Sequence, residues 1–587
     1  MPLATLLAPG SGPKAIGCWS RAMESFVPSR KSLPPQQRDR LQRAFVCHRK
    51  GELDQASALY QEVLATQPAQ LDALHLMGVV AVQTKQFAQA VSWIARALEI
   101  DPANAAAHNN MGFAFRGLGR LDSALASFDQ AITHAPRSPD AYFYSGLTLA
   151  DLARYQDALD RYERVIALQP DHVEAYVNRG NALRELQRLE EAVSSYTSAI
   201  RIRPDYALAY SNRGSALREQ GHLRAALESY EHALALKSDY ATAYFNRGVV
   251  LSELRQLDRA LDSYNAAIET AGDYADAHYF KGLLLLLAAD YWQGWSEHEW
   301  RWKSDYGSFR QQKRDFPQPP WLGEASIANK TVFLYAEQGL GDILQFCRYA
   351  SLVAQRGAKV ILEVPGSLVG LLASLEGVAE VVASGAPLPV FDYHCPLMSL
   401  PRAFKTTVAT IPAPGSYLKS DANKVAHWQR RLGQRRAPRI GLVWTGNPRN
   451  PRDRDRTIPL ELLARGLPKG FQYVSLQKEL TDSDRKTLQA QPHMLEFSAE
   501  LQDFTDTAAL CQCMDLVISV DTSVAHLSGA LGQPTWILLA FAADWRWLLD
   551  RSDSPWYSSA KLYRQSRPRD WTDVLDQVVA DLGGHLS

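Results

Sequence analysis

The sequence predicts an α-helical solenoid in the first half of the chain and an α/β region in the second half. Glycines recur every 34 residues from Gly78 to Gly282, which is the signature of a stacked helical repeat. After Pro320 the pattern changes to short apolar runs that alternate with helical stretches, which is typical of a parallel sheet covered by helices.

Composition and charge exclude several classes of protein. The chain has 587 residues, 46% of them apolar and 21% charged, which is the mix of a globular protein with several folding units. A disordered chain, a collagen-like fibre and a small disulfide scaffold are therefore excluded. Lys plus Arg equals Asp plus Glu at 63 each, so we expect no nucleic-acid partner.

Cysteines and apolar segments suggest a location inside the cell. The six cysteines are scattered without a CxxC pair, which predicts free thiols in a reducing compartment and no metal site. No apolar run reaches the roughly 18 residues of a membrane span. The N-terminus lacks the basic segment that precedes the apolar core of a signal peptide. We therefore expect a cytoplasmic protein without a membrane span.

Further positions share the period of 34. Each of the first six glycines is followed twelve residues later by Ala, and four residues beyond that by Ile, Phe or Tyr. Gly and Ala fit where two antiparallel helices approach closely, and the larger side chain fills the next gap. The pattern resembles the tetratricopeptide repeat, with seven units over residues 37–274 and a degenerate eighth. We place the solenoid at 37–308, after a flexible leader at 1–36.

Tryptophans are concentrated in the degenerate eighth unit. We expect them to bury a junction with the next domain; they are Trp292, Trp295, Trp300 and Trp302.

Asparagine recurs at the sixth position of four repeats, namely Asn110, Asn178, Asn212 and Asn246. This position lies on the first helix of each pair, which lines the concave side of such a solenoid. Stacked amides there would offer donors and acceptors to the backbone of an extended protein or peptide partner. The alternative is that each amide caps or bridges neighbouring helices.

The second half contains two series of predicted strands. The first series, in a lobe at 325–422, is TVFLYAEQ, AKVILEV and AEVVAS. The second, in a lobe at 438–587, is RIGLVWTG, FQYVSLQ, LVISVD and PTWILLA. Two such series predict two Rossmann-like lobes that face a cleft.

Four segments of this half resemble glycosyltransferase family 9, the heptosyltransferase-like group. They are GLGDILQF, GLVWTGNPRNPRDRDRTIPL, SLQKE and DTSVAHLSGALGQPTWILL, in that order. The resemblance implies a GT-B fold and inverting transfer of a sugar from a nucleotide diphosphate donor. The combination with repeats is similar in layout to protein O-GlcNAc transferases. The first lobe is shorter than in typical heptosyltransferases, so the acceptor does not carry over.

Asp342 is the candidate catalytic residue. It follows a strand and a Gly-rich turn, and the resemblance implies that it is the base that takes the acceptor proton. Gly339 and Gly341 would let the backbone pass close to the substrate. The alternative is an ordinary aspartate at a helix N-terminus.

A strand-to-helix turn in the second lobe is the candidate donor site. Its residues are Asp521, Thr522, Ser523 and His526. Such a turn directs backbone N–H groups at a diphosphate, and the resemblance assigns Asp521 and His526 to the sugar-phosphate end. The alternative is a plain N-cap followed by a core histidine.

Two further segments supply candidate donor contacts. Asn447 and Arg456 flank an arginine-rich loop whose guanidinium groups suit phosphate oxygens. Gln477 and Lys478 follow the next strand and are candidates for the nucleotide. Asp453 and Asp455 form a DxD sequence, which we expect to make ion pairs with arginines rather than to bind metal.

These residues predict a metal-independent glycosyltransferase of the hexosyl- or heptosyltransferase type, without a cofactor. Its donor is a nucleotide diphosphate sugar, and its acceptor is a protein recruited by the solenoid. One alternative is a repeat scaffold for protein–protein interaction with a degenerate transferase domain. The other is a transferase that acts on lipopolysaccharide or another glycan.

Overall fold

A computed structural model describes residues 34–307, 309–413, 415–447, 453–491 and 493–584. The chain forms two compact units, Met1–Ala243 and Tyr244–Ser587, so the last repeats share a unit with the α/β region. Most of the predicted leader lies outside the described residues. The first described helix begins at Pro35, where the missing N–H of proline is tolerated.

Twelve described helices lie wholly within the first unit. They are α1 Pro35–Arg49, α2 Leu53–Thr66, α3 Leu71–Gln83, α4 Phe87–Ile100, α5 Ala105–Gly117, α6 Leu121–His134, α7 Pro139–Asp151, α8 Tyr155–Leu168, α9 Val173–Glu185, α10 Leu189–Ile202, α11 Ala207–Glu219 and α12 Leu223–Leu236. They pair as the period of 34 predicts.

The seam within each helix pair is confirmed. A Cβ added to Gly180 would lie 2.5 Å from the ring of Tyr196, and one added to Gly112 would lie 2.5 Å from the ring of Phe128. Ala192 and Tyr196 are fully buried. Glycine is therefore required at this position because the ring of the second helix occupies the space of a side chain.

Four more repeat helices reach into or lie in the second unit. They are α13 Ala241–Glu253, which spans the boundary, α14 Leu257–Thr270, α15 Ala275–Leu287 and α16 Tyr291–His298. Trp295 on α16 is buried, and its indole Nε1 donates to the carbonyl of Thr406 at 3.1 Å. Trp292 is 68% exposed, so the expectation that all four tryptophans bury a junction is wrong for this residue.

The α/β region contains two parallel sheets. Its described strands are β1 Thr331–Tyr335, β2 Lys359–Val364, β3 Val378–Ala383, β4 Tyr393–Pro396, β5 Arg439–Val443, β6 Gln472–Ser475, β7 Met494–Leu495, β8 Leu516–Val520, β9 Thr535–Leu539 and β10 Ala560–Arg564. The strand orders are β3-β2-β1-β4 and β10-β9-β8-β5-β6-β7. The predicted strands are confirmed, and β4, β7 and β10 are additional.

Helices surround both sheets. They are α17 Phe309–Gln312, α18 Leu340–Phe346, α19 Tyr349–Gln355, α20 Gly366–Leu372, α21 Leu400–Ala403, α22 Ala422–Leu432, α23 Asp453–Arg456, α24 Leu460–Gly466, α25 Asp482–Gln489, α26 Phe504–Gln512, α27 Ser523–Ala530 and α28 Thr572–Gly584. In the described residues, no helix has the length and apolar character to span a membrane.

One hydrophobic core passes from α16 through both sheets. Arg348 reinforces it, since its Nη1 donates to the carbonyl of Trp556 at 2.6 Å and its Nη2 donates to Tyr417 Oη at 2.8 Å. The helices and loops that flank the two sheets are therefore packed against each other along this side.

The seam of the repeats generates the first prediction. In Gly180→Ala, the new methyl group must displace the buried ring of Tyr196, at an overpacking cost of about 1–3 kcal/mol. Alanine regains about 1 kcal/mol as a better helix former. We therefore expect the free energy of unfolding, measured by denaturant titration followed by circular dichroism, to fall by about 1 kcal/mol.

Gly272→Ala is the matched control, because no atom lies within 4 Å of the Cβ that it adds. A Gly180→Ala protein that is more stable than the parent, by the roughly 1 kcal/mol of helix propensity that alanine regains, would show that the seam tolerates a side chain.

Candidate functional site

Asp342 is held at two points. It lies in the first turn of α18, where its Oδ2 accepts a hydrogen bond from the Gly339 N–H at 2.8 Å. Its Oδ1 pairs with the guanidinium of Arg546. Burial raises the pKa of Asp342, although Arg546 and the Gly339 N–H favour its charged form. Asp342 therefore keeps a proton to a higher pH than an exposed aspartate.

Arg546 is the centre of this arrangement, and the sequence analysis missed it. It is 6% exposed and lies in a 3₁₀ helix, Trp545–Trp547. Nη1 donates to Asp544 Oδ1 at 2.7 Å, and Nε donates to Gln345 Oε1 at 2.6 Å. The available signal was the segment ADWRW after β9, where a charged pair interrupts an apolar stretch.

His526 is a buried neutral histidine. Its Nδ1 lies 2.9 Å from Tyr557 Oη, and its ring stacks on Trp547 with centroids 5.4 Å apart. Burial and the charge of Arg546 lower its pKa to about 3. Its Nε2 lies 3.8 Å from Asp521 Oδ1. At neutral pH it can therefore donate or accept a hydrogen bond but carries no charge.

Gly341 allows the first lobe to approach His526. A Cβ on Gly341 would lie 2.8 Å from His526 Cδ2, so α18 and α27 touch at this point. A Cβ on Gly339 would meet only Asp342 Oδ2, at 3.2 Å. Close packing thus explains the glycine at 341, and the approach brings the Asp342 turn beside the donor-site candidates.

The turn after β8 carries the remaining donor-site candidates. Asp521 follows the strand, and burial together with the charge of Asp544 raises its pKa. Thr522 is the N-cap residue of α27, and its hydroxyl lies 3.0 Å from Ser519 Oγ. Ser523 begins the helix. The N-cap and the buried histidine of the alternative interpretation are both present, alongside a carboxylate with a raised pKa.

Arg456 donates a hydrogen bond to the backbone of this turn. Its Nη1 donates to the Asp521 carbonyl at 2.7 Å, and its Nε pairs with Asp453 Oδ1 at 2.9 Å. Asp455 pairs with Arg569 at 2.9 Å. The DxD carboxylates therefore form ion pairs with arginines, as expected. Asn447 is the last described residue before the gap at 448–452.

Gln477 and Lys478 follow β6. Gln477 is 7% exposed, and its Oε1 has no hydrogen-bond partner in the described part of the chain. Lys478 Nζ donates to the Gln502 carbonyl at 2.7 Å. The side-chain oxygen of Gln477 is thus a buried hydrogen-bond acceptor without a partner in the described part of the chain, whereas the ammonium of Lys478 already donates to the backbone.

The asparagines at the sixth position of the repeats make different hydrogen bonds. Asn110 Nδ2 lies 2.7 Å from His75 Nε2 on α3, and Asn212 Nδ2 donates to Asn181 Oδ1 on α9 at 3.0 Å. Asn178 donates to the Glu174 carbonyl of its own helix at 2.8 Å. Asn246 is half-buried. Bridging of neighbouring helices is therefore present at two of the four positions.

A buried ion pair ties the end of the repeats to the loop that leads to Asp342. Arg301 is fully buried and donates from Nη2 and Nε to Glu337 at 2.9 and 3.1 Å. Its Nη1 pairs with Glu299 at 2.8 Å. Burial raises the pKa of Glu337, although Arg301 favours its charged form. The sequence does not predict this pair, because nothing in either segment marks its partner.

Family models match the first part of the chain. The model described as TPR repeat matches residues 180–221 and 214–254. Models described as tetratricopeptide repeat match residues 48–112, 110–160, 162–194 and 241–274. Residues 48–274 are therefore tetratricopeptide repeats.

The chain is also similar to individual proteins. It is 26% identical over 329 residues to Protein FlbA of Caulobacter vibrioides, a match that covers 51% of this chain and 53% of FlbA. The chain thus spans about half the length of this curated relative.

The chain is also similar to solved structures, two of which are tetratricopeptide repeat proteins. A tetratricopeptide repeat protein of Parabacteroides merdae is 16% identical with a TM-score of 0.36, covering 43% of this chain and 100% of that one. YrrB, described as a TPR protein with an unusual peptide-binding site, is 22% identical with a TM-score of 0.29, covering 32% and 98%.

The raised pKa of Asp521 generates the second prediction. A folded state that holds a proton more tightly than the unfolded chain loses stability as pH rises from the unfolded pKa through the folded one. Asp521→Asn removes this loss, so we expect the variant to be about 1–3 kcal/mol more stable than the parent at neutral pH. The gain should vanish below the unfolded pKa of aspartate, as measured by denaturant titration at both pH values.

Asp503→Asn is the control with the opposite sign. Burial raises the pKa of Asp503, but hydrogen bonds from Thr505 outweigh that effect and lower it. This variant should lose stability at neutral pH. A destabilised Asp521→Asn protein would show that the carboxylate is more stable in place than its amide.

Proposed function

We propose that the chain is a glycosyltransferase that moves a sugar from a nucleotide diphosphate donor to a polypeptide acceptor recruited by its repeats. The observation that carries the proposal is the meeting of Asp342 with Arg546, next to Asp521 and His526, on turns from two parallel sheets. We further propose that these sheets are the two Rossmann-like lobes of a GT-B fold.

The proposed chemistry is an inverting transfer with Asp342 as base. The acceptor hydroxyl attacks the anomeric carbon, its proton passes to the Asp342 carboxylate, and the nucleoside diphosphate leaves with the bonding electron pair. Because burial raises its pKa, this carboxylate is a better proton acceptor than an exposed aspartate. Arg546 would keep it oriented while the hydroxyl approaches.

The proposed donor site is the turn after β8. The backbone N–H groups of Thr522 and Ser523 at the start of α27 suit diphosphate oxygens. Arg456 supplies a fixed positive charge beside that turn. The buried acceptor on Gln477 suits an N–H of the nucleotide base, with Asn447 and Lys478 at the same edge of the sheet. No metal or cofactor takes part in this proposal.

The repeats indicate protein–protein interaction. We propose that they bind the acceptor polypeptide. Because Asn110 and Asn212 already bridge helices, Asn178 and Asn246 are the better candidates for contacting a bound backbone.

One observation favours a second candidate function, a non-catalytic repeat scaffold. Both carboxylate oxygens of Asp342 are engaged, one by Gly339 and one by Arg546. In a scaffold, a carboxylate held in this way would join the two lobes without taking part in catalysis. A thermal shift on adding nucleoside diphosphates would support the transferase, and its absence would support the scaffold.

The assignment of the base generates the third prediction. Asp342→Asn keeps the shape of the side chain but removes the proton acceptor, so turnover should fall by about two to four orders of magnitude. Donor affinity should change little, because the donor site lies on the other lobe. The measurement is sugar transfer together with calorimetry of donor binding.

Asp315→Asn is the control, since Asp315 is an exposed carboxylate that precedes the same lobe in the chain. Near-normal turnover in Asp342→Asn would overturn the assignment of the base.

The donor site generates the fourth prediction. Asp521→Ala and His526→Ala remove groups at the turn that would hold the diphosphate and sugar. We expect each to weaken donor binding about tenfold, the effect of one lost hydrogen bond to a charged group. Calorimetry with nucleoside diphosphates measures it, and partner binding by the repeats is the internal control. Unchanged donor affinity in both variants would place the donor elsewhere.

A further inference from the structure

A cavity lies where α13 and α15 face the loop at residues 541–549, which follows β9. Its volume is about 90 Å³. One water molecule needs about 10–15 Å³ by the same measure, so the cavity has room for one side chain. It is too small for a nucleotide sugar and is therefore not the donor site.

The cavity wall is mostly apolar. Phe280 and Leu284 of α15 face Trp545 and Leu548 of the loop. An apolar side chain that enters this space leaves water and contacts hydrocarbon on both sides, which stabilises it there.

Two guanidinium groups and two carboxylates, those of Glu253 and Asp544, also line the cavity, and Asp544 is already paired with Arg546. Arg255 pairs with Asp550 at 2.8 Å. Arg564 donates to the carbonyls of Trp547 and Arg551, at 2.6 and 3.1 Å. Within the described residues, no carboxylate lies within the 4.0 Å of a salt bridge from Arg564. Burial and the charge of Arg255 lower the pKa of Arg564 to about 10. An incoming carboxylate would supply the anion that Arg564 lacks.

The cavity is linked to the candidate base, Asp342, through two side chains. Asp544 lines the cavity and accepts from Arg546, which pairs with Asp342. A polypeptide anchored in the cavity would thus be separated from Asp342 by the side chains of Asp544 and Arg546.

We propose that this cavity is an anchoring subsite for a polypeptide partner. An apolar side chain of the partner fills the cavity, and the carboxylate of the adjacent residue pairs with Arg564. The proposal rests on the proposed function only in identifying the partner as the acceptor, since the anchoring itself requires no transfer of sugar.

The test uses the full chain and three N-acetylated dipeptide amides, observed by ligand-detected NMR. The probe combines leucine with glutamate. One control peptide replaces the glutamate by glutamine, and the other replaces the leucine by glycine. We expect the probe to bind about tenfold more tightly than either control, because each control lacks one of the two contacts. Equal affinities for the three peptides would overturn the proposal.

Two variants locate the binding. Arg564→Gln should abolish the difference between the glutamate and glutamine peptides, whereas Arg465→Gln, at an exposed arginine on α24, should preserve it. Ala543→Leu extends a side chain from the cavity wall and should abolish the binding of the leucine peptides. Parent-like behaviour of either cavity variant would overturn the proposal. Should Ala543→Leu fail to fold, Arg564→Gln decides alone.

Further measurements separate this proposal from the proposed function. Displacement of the peptide by a nucleoside diphosphate would assign the cavity to the donor and overturn the proposal. Discrimination among the peptides in a chain that transfers no sugar would overturn the transferase alone. Sugar transfer without that discrimination would overturn the subsite alone.

Discussion

The buried guanidinium of Arg546 joins a loop of one sheet to a turn of the other. A buried charge is stable only when it is paired and hydrogen-bonded, and removing one partner of such a pair typically costs about 3–5 kcal/mol. Arg546 takes its partners from two places, Asp544 in its own loop and Asp342 on the other lobe. The loop after β9 and the turn after β1 are therefore held together by the same charge.

This charge also sets the protonation of the groups around it. Burial already lowers the pKa of His526, and the positive charge of Arg546 lowers it further. The same guanidinium opposes the rise that burial produces in Asp342. His526 is thus neutral and Asp342 has a raised pKa because burial and the charge of Arg546 act on both groups, which lie in neighbouring turns.

The period of 34 predicted the helical pairs and their Gly–Tyr seam, and alternating apolar runs predicted most of the strands. β4, β7 and β10 were missed because they are short or contain proline or charged residues, which hide an apolar pattern. Local motifs identified Asp342, Asp521 and His526. They could not identify Arg546, which lies 204 residues from Asp342, because only folding brings the two together. The same holds for Arg301 and Glu337.

The segment from Glu337 to Asp342 is fixed at both ends by arginines from outside its own lobe. Arg301, from the end of the repeats, holds Glu337, and Arg546 holds Asp342. Arg546 in turn lies on a loop whose other side lines the cavity against α15. The last repeats are therefore linked indirectly to Asp342 in two ways. One link runs through the pair of Arg301 and Glu337, and the other runs through the loop that carries Arg546. A partner that binds the repeats can shift the position of Asp342 only if it binds more tightly to one conformation of these contacts than to another. Under the proposed function, the packing of the last repeats against the α/β region would be the physical link between recruitment and chemistry.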